Sequence, residues 1–307
     1  LVAGRQQDGR LLIACVGGST ARPLEVGLLK VSDVDALRAA AASQWVSARK
    51  ATATQLSSSY VSEPRKIRFP TASGEIAYMN YYPPANPRHA LPTGQRPALL
   101  VKIHGGPTSA ASPAFSLETH YWTTRGFAVA DIDYRGSTGY GRQYRNRLKG
   151  EWGVVDVEDC IHAANFLVAN DLADKARLCI NGSSAGGLTS LAALLGDTVF
   201  KAAASRYGVA DLELLAKETH KFESRYLDTL VGRYPEERDK YEERSPMTHV
   251  DSINAPVIFY QGDLDAVVPP NQAELMHAKL KARGLPTALV IYKGEYHGFR
   301  QDVNMRH

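Results

Sequence analysis

Short apolar runs with little polar alternation recur between residues 99 and 292. Such runs are typical of strands buried on both faces of a parallel sheet. The predicted strands are 99–104, 128–132, 177–180, 202–206, 257–260 and 288–292. Helix-length segments lie between them, at 118–124, 157–169, 188–195 and 271–283. This alternating order predicts an α/β fold with a doubly wound, mostly parallel sheet.

Residues 1–65 follow a different pattern. Two strand-like runs, 10–16 and 24–31, flank a Gly-Gly-Ser-Thr turn, and 36–42 suits a short helix. The Ser-rich stretch 55–64 has the composition of a linker. Two strands cannot bury a core alone, so this segment is either an appendage or part of a larger β domain.

Residues 66–307 form the predicted main domain, which opens with an antiparallel hairpin over 67–69 and 76–82. The chain begins at Leu1 without a signal-peptide pattern, and it stops at His307 with no segment typical of a closing helix. We therefore expect a fragment of a longer protein.

The composition of the chain limits the classes of molecule that it is expected to bind. The net charge of +4 is small for 307 residues, and Lys and Arg are scattered, which argues against nucleic acid. No run of 18 apolar residues is present, so we expect no membrane span. The three cysteines are too few and too widely spaced for a disulfide framework or a metal site. Reduced thiols favour a cytoplasmic location. Assembly as a homo-oligomer is left open.

A Gly-x-Ser-x-Gly pattern lies between the strand 177–180 and the helix 188–195. This is the strand–turn–helix context of a nucleophile elbow, in which glycines two residues on either side avoid collisions across a strained turn. The pattern fits Gly182, Ser184 and Gly186. Ser183 would need glycines at 181 and 185, which the chain lacks. The spacing therefore predicts Ser184 as the nucleophile.

A serine nucleophile needs a base, and the base needs an orienting carboxylate. In α/β-hydrolases the chain order is serine, then acid, then histidine. Asp265 follows the strand 257–260, and His297 follows the strand 288–292. Asp263 competes with Asp265, and spacing alone does not exclude it. Each residue alone is common in loops, but the three roles in this order predict a serine hydrolase.

Two backbone N–H groups are candidates for binding the oxyanion of a tetrahedral intermediate. Ala185 follows the nucleophile at the predicted start of a helix, where the dipole favours negative charge. Gly106 lies in a His-Gly-Gly-Pro turn after the strand 99–104, and glycine allows close approach of the backbone. This chemistry requires no metal and no cofactor.

Several motifs occur together and resemble one known family. They are His-Gly-Gly-Pro at 104–107, Asp-Tyr-Arg-Gly-Ser-Thr-Gly-Tyr-Gly at 133–141, Trp-Gly-Val-Val-Asp at 152–156, Ser-Ala-Gly-Gly at 184–187, Glu-Arg-Ser-Pro at 243–246, Val-Val-Pro-Pro at 267–270 and His-Gly-Phe at 297–299. Residues 101–300 resemble the catalytic domain of the prolyl oligopeptidase family of serine peptidases. Within it, the branch of acylaminoacyl-peptidases and dipeptidyl aminopeptidases is the most similar.

The resemblance implies an α/β-hydrolase fold preceded by a β-propeller that screens the site from large substrates. Residues 1–65 would be the remnant of that propeller, and the family's final helix would be missing. The resemblance assigns the triad to Ser184, Asp265 and His297, and so chooses Asp265 over Asp263.

The resemblance also implies a substrate pocket beside residues 220–226. By composition this run reads as a charged surface helix, whereas the family pattern makes Phe222 and Tyr226 candidates for the pocket lining. We expect Trp152 and Tyr207 in the core. The Asp-Tyr-Arg run at 133–135 is predicted to hold the loop after its strand.

We thus expect a serine peptidase that cleaves short or N-acylated peptides through an acyl-enzyme. Two alternatives stay open. A carboxylesterase would use the same machinery, and a catalytically silent interaction module would keep the fold without the reaction.

Overall fold

The computed structural model describes residues 2–5, 11–31, 45–54, 56–218 and 225–307. The predicted helix over 36–42 and the candidate pocket residue Phe222 lie outside the described residues. No helix within these ranges is long and apolar enough to cross a membrane.

An antiparallel sheet forms the N-terminal part, with its strands in chain order. Its strands are β1 (Val2–Arg5), β2 (Leu11–Ser19), β3 (Arg22–Val31) and β4 (Trp45–Lys50). The sequence predicted only the two central strands, because β4 is almost wholly exposed and shows no apolar alternation. Trp45 packs on Gly27 of β3, where a Cβ would lie 2.2 Å from the indole ring. A sheet of this kind fits one blade of a β-propeller.

An eight-stranded, mostly parallel sheet forms the rest, in the order β12-β11-β10-β9-β7-β8-β6-β5. Its strands are β5 (Arg65–Pro70), β6 (Ile76–Tyr82), β7 (Ala98–Ile103), β8 (Phe127–Asp133), β9 (Leu178–Ser183), β10 (Ala202–Arg206), β11 (Val257–Gly262) and β12 (Thr287–Tyr292). Only the β5–β6 and β6–β8 pairings are antiparallel. The predicted hairpin and parallel strands are confirmed.

Helices cover both faces of this sheet. They are α1 (Leu117–Thr123), α2 (Gly141–Asn146), α3 (Val155–Ala169), α4 (Ala185–Ala192), α5 (Leu212–Glu218), α6 (Tyr226–Leu230), α7 (Arg238–Arg244), α8 (Asn271–Ala282) and α9 (Asp302–Arg306). Helices α3, α4 and α8 pack on the main core, whereas Trp122 of α1 joins a smaller apolar cluster with Leu100 and Val129. The doubly wound architecture is confirmed. The short helix α9 follows the last strand, where the sequence shows no segment typical of a helix.

A buried ion pair joins the loop after β8 to helix α3. The Arg135 side chain is 6% exposed and donates from Nε to Asp159 Oδ1 at 2.9 Å, while the Arg135 backbone N–H donates to Asp159 Oδ2 at 2.6 Å. The Thr71 hydroxyl, in the turn after β5, donates to the same carboxylate at 2.6 Å. Asp159 thus fastens three segments, and the predicted structural role of residues 133–135 is confirmed.

Removing Asp159 takes away the fully buried partner of Arg135 and leaves only the half-exposed Glu158, at 2.7 Å, to compensate the guanidinium. Loss of a buried ionic partner is strongly destabilising. We expect Asp159→Ala to lower the free energy of unfolding by about 3–5 kcal/mol. The control is Asp251→Ala, because Asp251 is 93% exposed and faces Arg283 at 3.6 Å; it should change stability by less than about 1 kcal/mol. Urea unfolding at pH 7 measures both. Equal effects in the two variants would contradict the structural role of Asp159.

Candidate active site

The turn between β9 and α4 carries Ser184 in a strained conformation, with φ 55° and ψ −121°. Two glycines make this turn sterically feasible. A Cβ at Gly182 would lie 2.0 Å from the carbonyl oxygen of Gly186, and a Cβ at Gly186 would lie 2.7 Å from the carbonyl oxygen of Ile103. Ser183 instead ends β9 and pairs with β10. The steric reason for the glycine spacing is therefore confirmed.

The end of β10 holds the backbone of Ser184 on both sides. The Ser184 N–H donates to the carbonyl oxygen of Arg206 at 3.0 Å. Its own carbonyl oxygen accepts from the N–H groups of Gly187 at 2.9 Å and Val209 at 3.3 Å. These bonds stabilise a backbone conformation that is otherwise costly.

Ser184, His297 and Asp265 form one hydrogen-bonded line. Ser184 Oγ lies 2.8 Å from His297 Nε2, and His297 Nδ1 lies 2.8 Å from Asp265 Oδ2. With Asp265 ionised, Nδ1–H donates to the carboxylate, which leaves Nε2 to accept the serine proton. The structure thus brings together the three residues that the sequence placed after separate strands.

Asp265 is fixed from several directions, and its side chain is fully buried. Its Oδ1 accepts from the backbone N–H groups of Val267 at 2.9 Å and Val268 at 3.0 Å, and Gln261 Nε2 lies 3.3 Å from Oδ2. Asp263 has another role, since its Oδ1 accepts from the Gly294 N–H at 2.7 Å. Asp265, rather than Asp263, faces the imidazole.

Glu295 organises the loop that bears His297. Sequence reasoning missed this role, because the only signal was a position two residues before the histidine. The buried carboxylate accepts from the N–H groups of Arg300 and Gln301, both at 2.9 Å, and from Asn304 Nδ2 at 2.8 Å. Desolvation disfavours its charge, but the hydrogen bonds from Asn304, Gln301 and Arg300 outweigh it and lower the pKa of Glu295. The Glu295 carbonyl oxygen also accepts from the Leu264 N–H at 3.0 Å, which ties the loop to that of Asp265.

The His-Gly-Gly-Pro turn after β7 lies against the nucleophile turn. A Cβ at Gly105 would be 3.0 Å from the Ser183 carbonyl oxygen, and Gly106 has φ 124°, a region that favours glycine. His104 stacks on Tyr134 with ring centroids 4.4 Å apart, and the Tyr134 hydroxyl donates to the Pro107 carbonyl oxygen at 2.7 Å. Burial lowers the pKa of His104, so its imidazole is neutral and acts as a packing element.

A cleft of about 400 Å³ opens beside Ser184 and His297. Gly106 and Ala185, the predicted oxyanion donors, both line it. Its other walls are mainly apolar, and they include Trp152, Val209, Leu215, Tyr226, Leu227 and Val267. Tyr226, a candidate for the pocket lining by the family resemblance, lines this cleft, and its hydroxyl lies 3.2 Å from Thr108 Oγ1.

Of the two core assignments, that of Trp152 is confirmed and that of Tyr207 needs correction. Trp152 is buried, as expected, yet it also borders the cleft. Tyr207 is only half-buried, lines the cleft and packs against His297. A large aromatic residue directly after an apolar strand resembles a core residue in sequence, although the strand end here opens onto the site.

Within the described part of the chain, no group of three or more His, Cys, Asp or Glu side chains is arranged to hold a metal ion.

Residues 113–307 match the prolyl oligopeptidase family, the S9 peptidases. The chain belongs to this family. Together with the strand order and the nucleophile turn, the match identifies the large domain as an α/β-hydrolase fold.

Solved and curated relatives agree with this assignment. A puromycin-hydrolysing peptidase of Mycobacterium tuberculosis is 37% identical, with a TM-score of 0.91 over 98% of this chain and 51% of that one. Dipeptidyl aminopeptidase BIII of Pseudoxanthomonas mexicana is 27% identical over 212 residues, 67% of this chain and 31% of the relative. Acylamino-acid-releasing enzyme 1 of Oryza sativa subsp. japonica is 28% identical over 214 residues, 66% of this chain and 27% of the relative. The chain thus spans about half the length of the solved relative and about three tenths of the curated ones.

The lowered pKa of Glu295 gives a pH-dependent prediction. A folded-state pKa below the unfolded value stabilises the protein above the unfolded pKa, and this contribution is lost as pH falls through the folded pKa. We therefore expect Glu295→Gln to have a lower thermal midpoint than the wild type at pH 7, and the difference should shrink progressively as the pH falls below the ordinary glutamate pKa of about 4.3. The loosened His297 loop should also lower turnover by about 10-fold.

Glu274→Gln is a suitable control, because Glu274 lies exposed in the first turn of α8. Calorimetry across pH and steady-state kinetics measure both effects. A pH-independent difference between the Glu295 variant and the wild type would contradict the charge-dependent role.

Proposed function

We propose that this chain carries the catalytic site of a serine peptidase acting on short or N-acylated peptides and related aminoacyl amides. One observation carries the proposal. Ser184 Oγ lies 2.8 Å from an imidazole nitrogen of His297, whose other nitrogen lies 2.8 Å from the buried carboxylate of Asp265. This is the arrangement that makes a serine hydroxyl nucleophilic near neutral pH.

In the first half of the reaction, Ser184 Oγ attacks the carbonyl carbon of the substrate while His297 Nε2 accepts the hydroxyl proton. The tetrahedral intermediate collapses when His297 returns that proton to the leaving nitrogen, so that the C–N bond breaks and an acyl-serine remains. Water then attacks the ester with His297 as base, and Ser184 leaves with its proton restored. Asp265 holds the imidazole tautomer and stabilises the imidazolium in both halves.

The N–H groups of Ala185 and Gly106 are the proposed oxyanion donors. Both residues line the cleft at Ser184, and Ala185 is the first residue of α4, so the helix dipole favours negative charge there. Donors that are fixed before the reaction stabilise the transition state without reorganising. Each is expected to contribute about 3–4 kcal/mol to transition-state stabilisation.

The shape and polarity of the cleft support a substrate preference. Its mainly apolar walls and volume of about 400 Å³ suit a large apolar side chain on the residue whose carbonyl is attacked. The names of the relatives support the substrate class, since they are a dipeptidyl aminopeptidase, an acylamino-acid-releasing enzyme and a puromycin-hydrolysing peptidase.

The first test of the proposal is Ser184→Ala. It should reduce hydrolysis of aminoacyl p-nitroanilides, N-acetylaminoacyl p-nitroanilides and puromycin by a factor of about 10⁴ or more, because the nucleophile is lost. Ser183→Ala is the matched control, and it should keep activity within a few-fold. Retained activity in the Ser184 variant, or an equal loss in the Ser183 variant with an unchanged fold, would contradict the assignment.

The same experiment distinguishes the alternatives. A carboxylesterase would hydrolyse p-nitrophenyl esters but leave anilides and puromycin intact. A catalytically silent module would hydrolyse neither, and Ser184 would not be labelled by a fluorophosphonate. Labelling at Ser184, read by peptide mass spectrometry, together with anilide hydrolysis supports the peptidase.

The apolar wall generates a second test. Leu227 of α6 is 6% exposed and lines the cleft, so Leu227→Trp should fill part of it. We expect kcat/KM for a phenylalanyl anilide to fall by about 10-fold or more relative to an alanyl anilide. Leu275→Trp, at a position 49% exposed on α8, is the control. An equal change for both substrates would contradict the placement of the substrate side chain.

A further inference from the structure

The segment that follows β10 contacts both the nucleophile and the base. Arg206 and Val209 bind the backbone of Ser184 through the hydrogen bonds described above. Between them, the ring of Tyr207 packs edge-on against His297, with centroids 4.9 Å apart and planes at 64°. One short segment therefore lies against two of the three proposed catalytic residues.

Tyr207 has a backbone conformation that is unusual for its residue type, with φ 39°. Bulky residues rarely adopt a positive φ, and glycine would adopt it at less cost. The sharp turn follows from packing, because a Cβ at Gly208 would lie 2.2 Å from Ser205 Oγ and 2.8 Å from the Cα of Gly187 on α4. Backbone strain of this kind is found mostly at functional sites, where the strained residue contributes to the function.

The contacts of the Tyr207 ring indicate what its function is. Besides His297, the ring packs edge-on against Phe299 at 5.2 Å and 84°, and it lines the cleft at Ser184. The two hydrogen bonds of His297 leave from opposite sides of the imidazole. They resist sliding of the ring but only weakly resist tilting about the line that joins Asp265 to Ser184. A contact away from that line limits the tilt, and an edge-on aromatic contact is favourable there.

We propose that Tyr207 is a positioning residue that holds the His297 imidazole in the plane from which Nε2 reaches Ser184. This inference rests on the proposed function, since it concerns how efficiently His297 activates Ser184. The hydroxyl of Tyr207 has no part in it, and the ring alone suffices.

The test compares Tyr207→Gly with Tyr207→Phe in the 307-residue chain. Glycine relieves the backbone strain and removes the ring with its two edge-on contacts, so we expect a variant that still folds and has a kcat lower by about 10- to 100-fold. KM should change by less than about 3-fold if the ring acts on the base rather than on ground-state binding. Tyr207→Phe keeps the ring contacts and should retain kcat within about 2-fold.

The matched control is Ser73→Gly, which relieves a positive φ of 58° in the exposed turn between β5 and β6. It should raise the thermal midpoint slightly and leave kcat unchanged. The rate of fluorophosphonate labelling of Ser184 gives a second readout without substrate, and it should fall in parallel with kcat in the Tyr207→Gly variant.

The outcomes separate the two proposals. Absence of labelling and hydrolysis in the wild type would overturn the proposed function itself. Normal wild-type reaction with an unchanged kcat in Tyr207→Gly would overturn the positioning role alone, and so would a rise in KM without a fall in kcat. If Tyr207→Gly does not fold, Tyr207→Asn replaces it, because asparagine also tolerates positive φ. Failure of both to fold, with a stable Tyr207→Phe, would make the ring a folding element and overturn the inference.

Discussion

The nucleophile turn depends on close backbone contact at two glycines. At Gly182 and Gly186 there is no room for a side chain, because carbonyl oxygens occupy the space that a Cβ would need. The turn can therefore form only where the ends of β7, β9 and β10 lie side by side, and the parallel sheet provides this arrangement. The remaining parts of the site are loops that leave the same edge of the sheet.

A buried carboxylate on helix α3 stabilises the helix that follows this turn. Asp156 of α3 lies under α4, where its carboxylate accepts from the Thr189 hydroxyl at 2.5 Å and the Gly153 N–H at 2.7 Å. Burial raises the pKa of Asp156 to about 6, and hydrogen bonds from Thr189 and Gly153 oppose that rise. Burial of the Asp156 carboxylate is unfavourable in itself. Its two hydrogen bonds, however, link α4 to the loop that carries Trp152.

Much of the large sheet was predictable from the sequence, because a strand that is buried on both faces consists of a continuous run of apolar residues. Strand β8, predicted at 128–132 and observed at Phe127–Asp133, is an example, because all of its residues but the first are buried. Strand β4 was missed since its side chains are mostly exposed, and α9 was missed because five largely polar residues show no periodicity. The pattern of apolar residues along a sequence indicates which side chains are buried. Strand β4 and helix α9 bury few side chains, so their sequences show no such pattern.

The residues of the candidate site also differ in whether the sequence could predict them. Ser184 was predictable because its turn imposes a glycine spacing that the sequence displays. The role of Glu295 was not, since its partners are backbone amides and a side chain five to nine residues further on. Tyr207 was assigned wrongly for a related reason, because neither a positive φ nor an edge-on contact with His297 leaves a trace in hydropathy.

The separation of the site along the chain has a consequence for folding. Ser184 and His297 are 113 residues apart, and strands β10, β11 and β12 lie between the turn of Ser184 and the loop of His297 in the native sheet. Non-local pairings of this kind are late and slow events, because the loop entropy is lost before the contact is gained. The contact between Ser184 and His297 should therefore be regained late in refolding, after the first collapse.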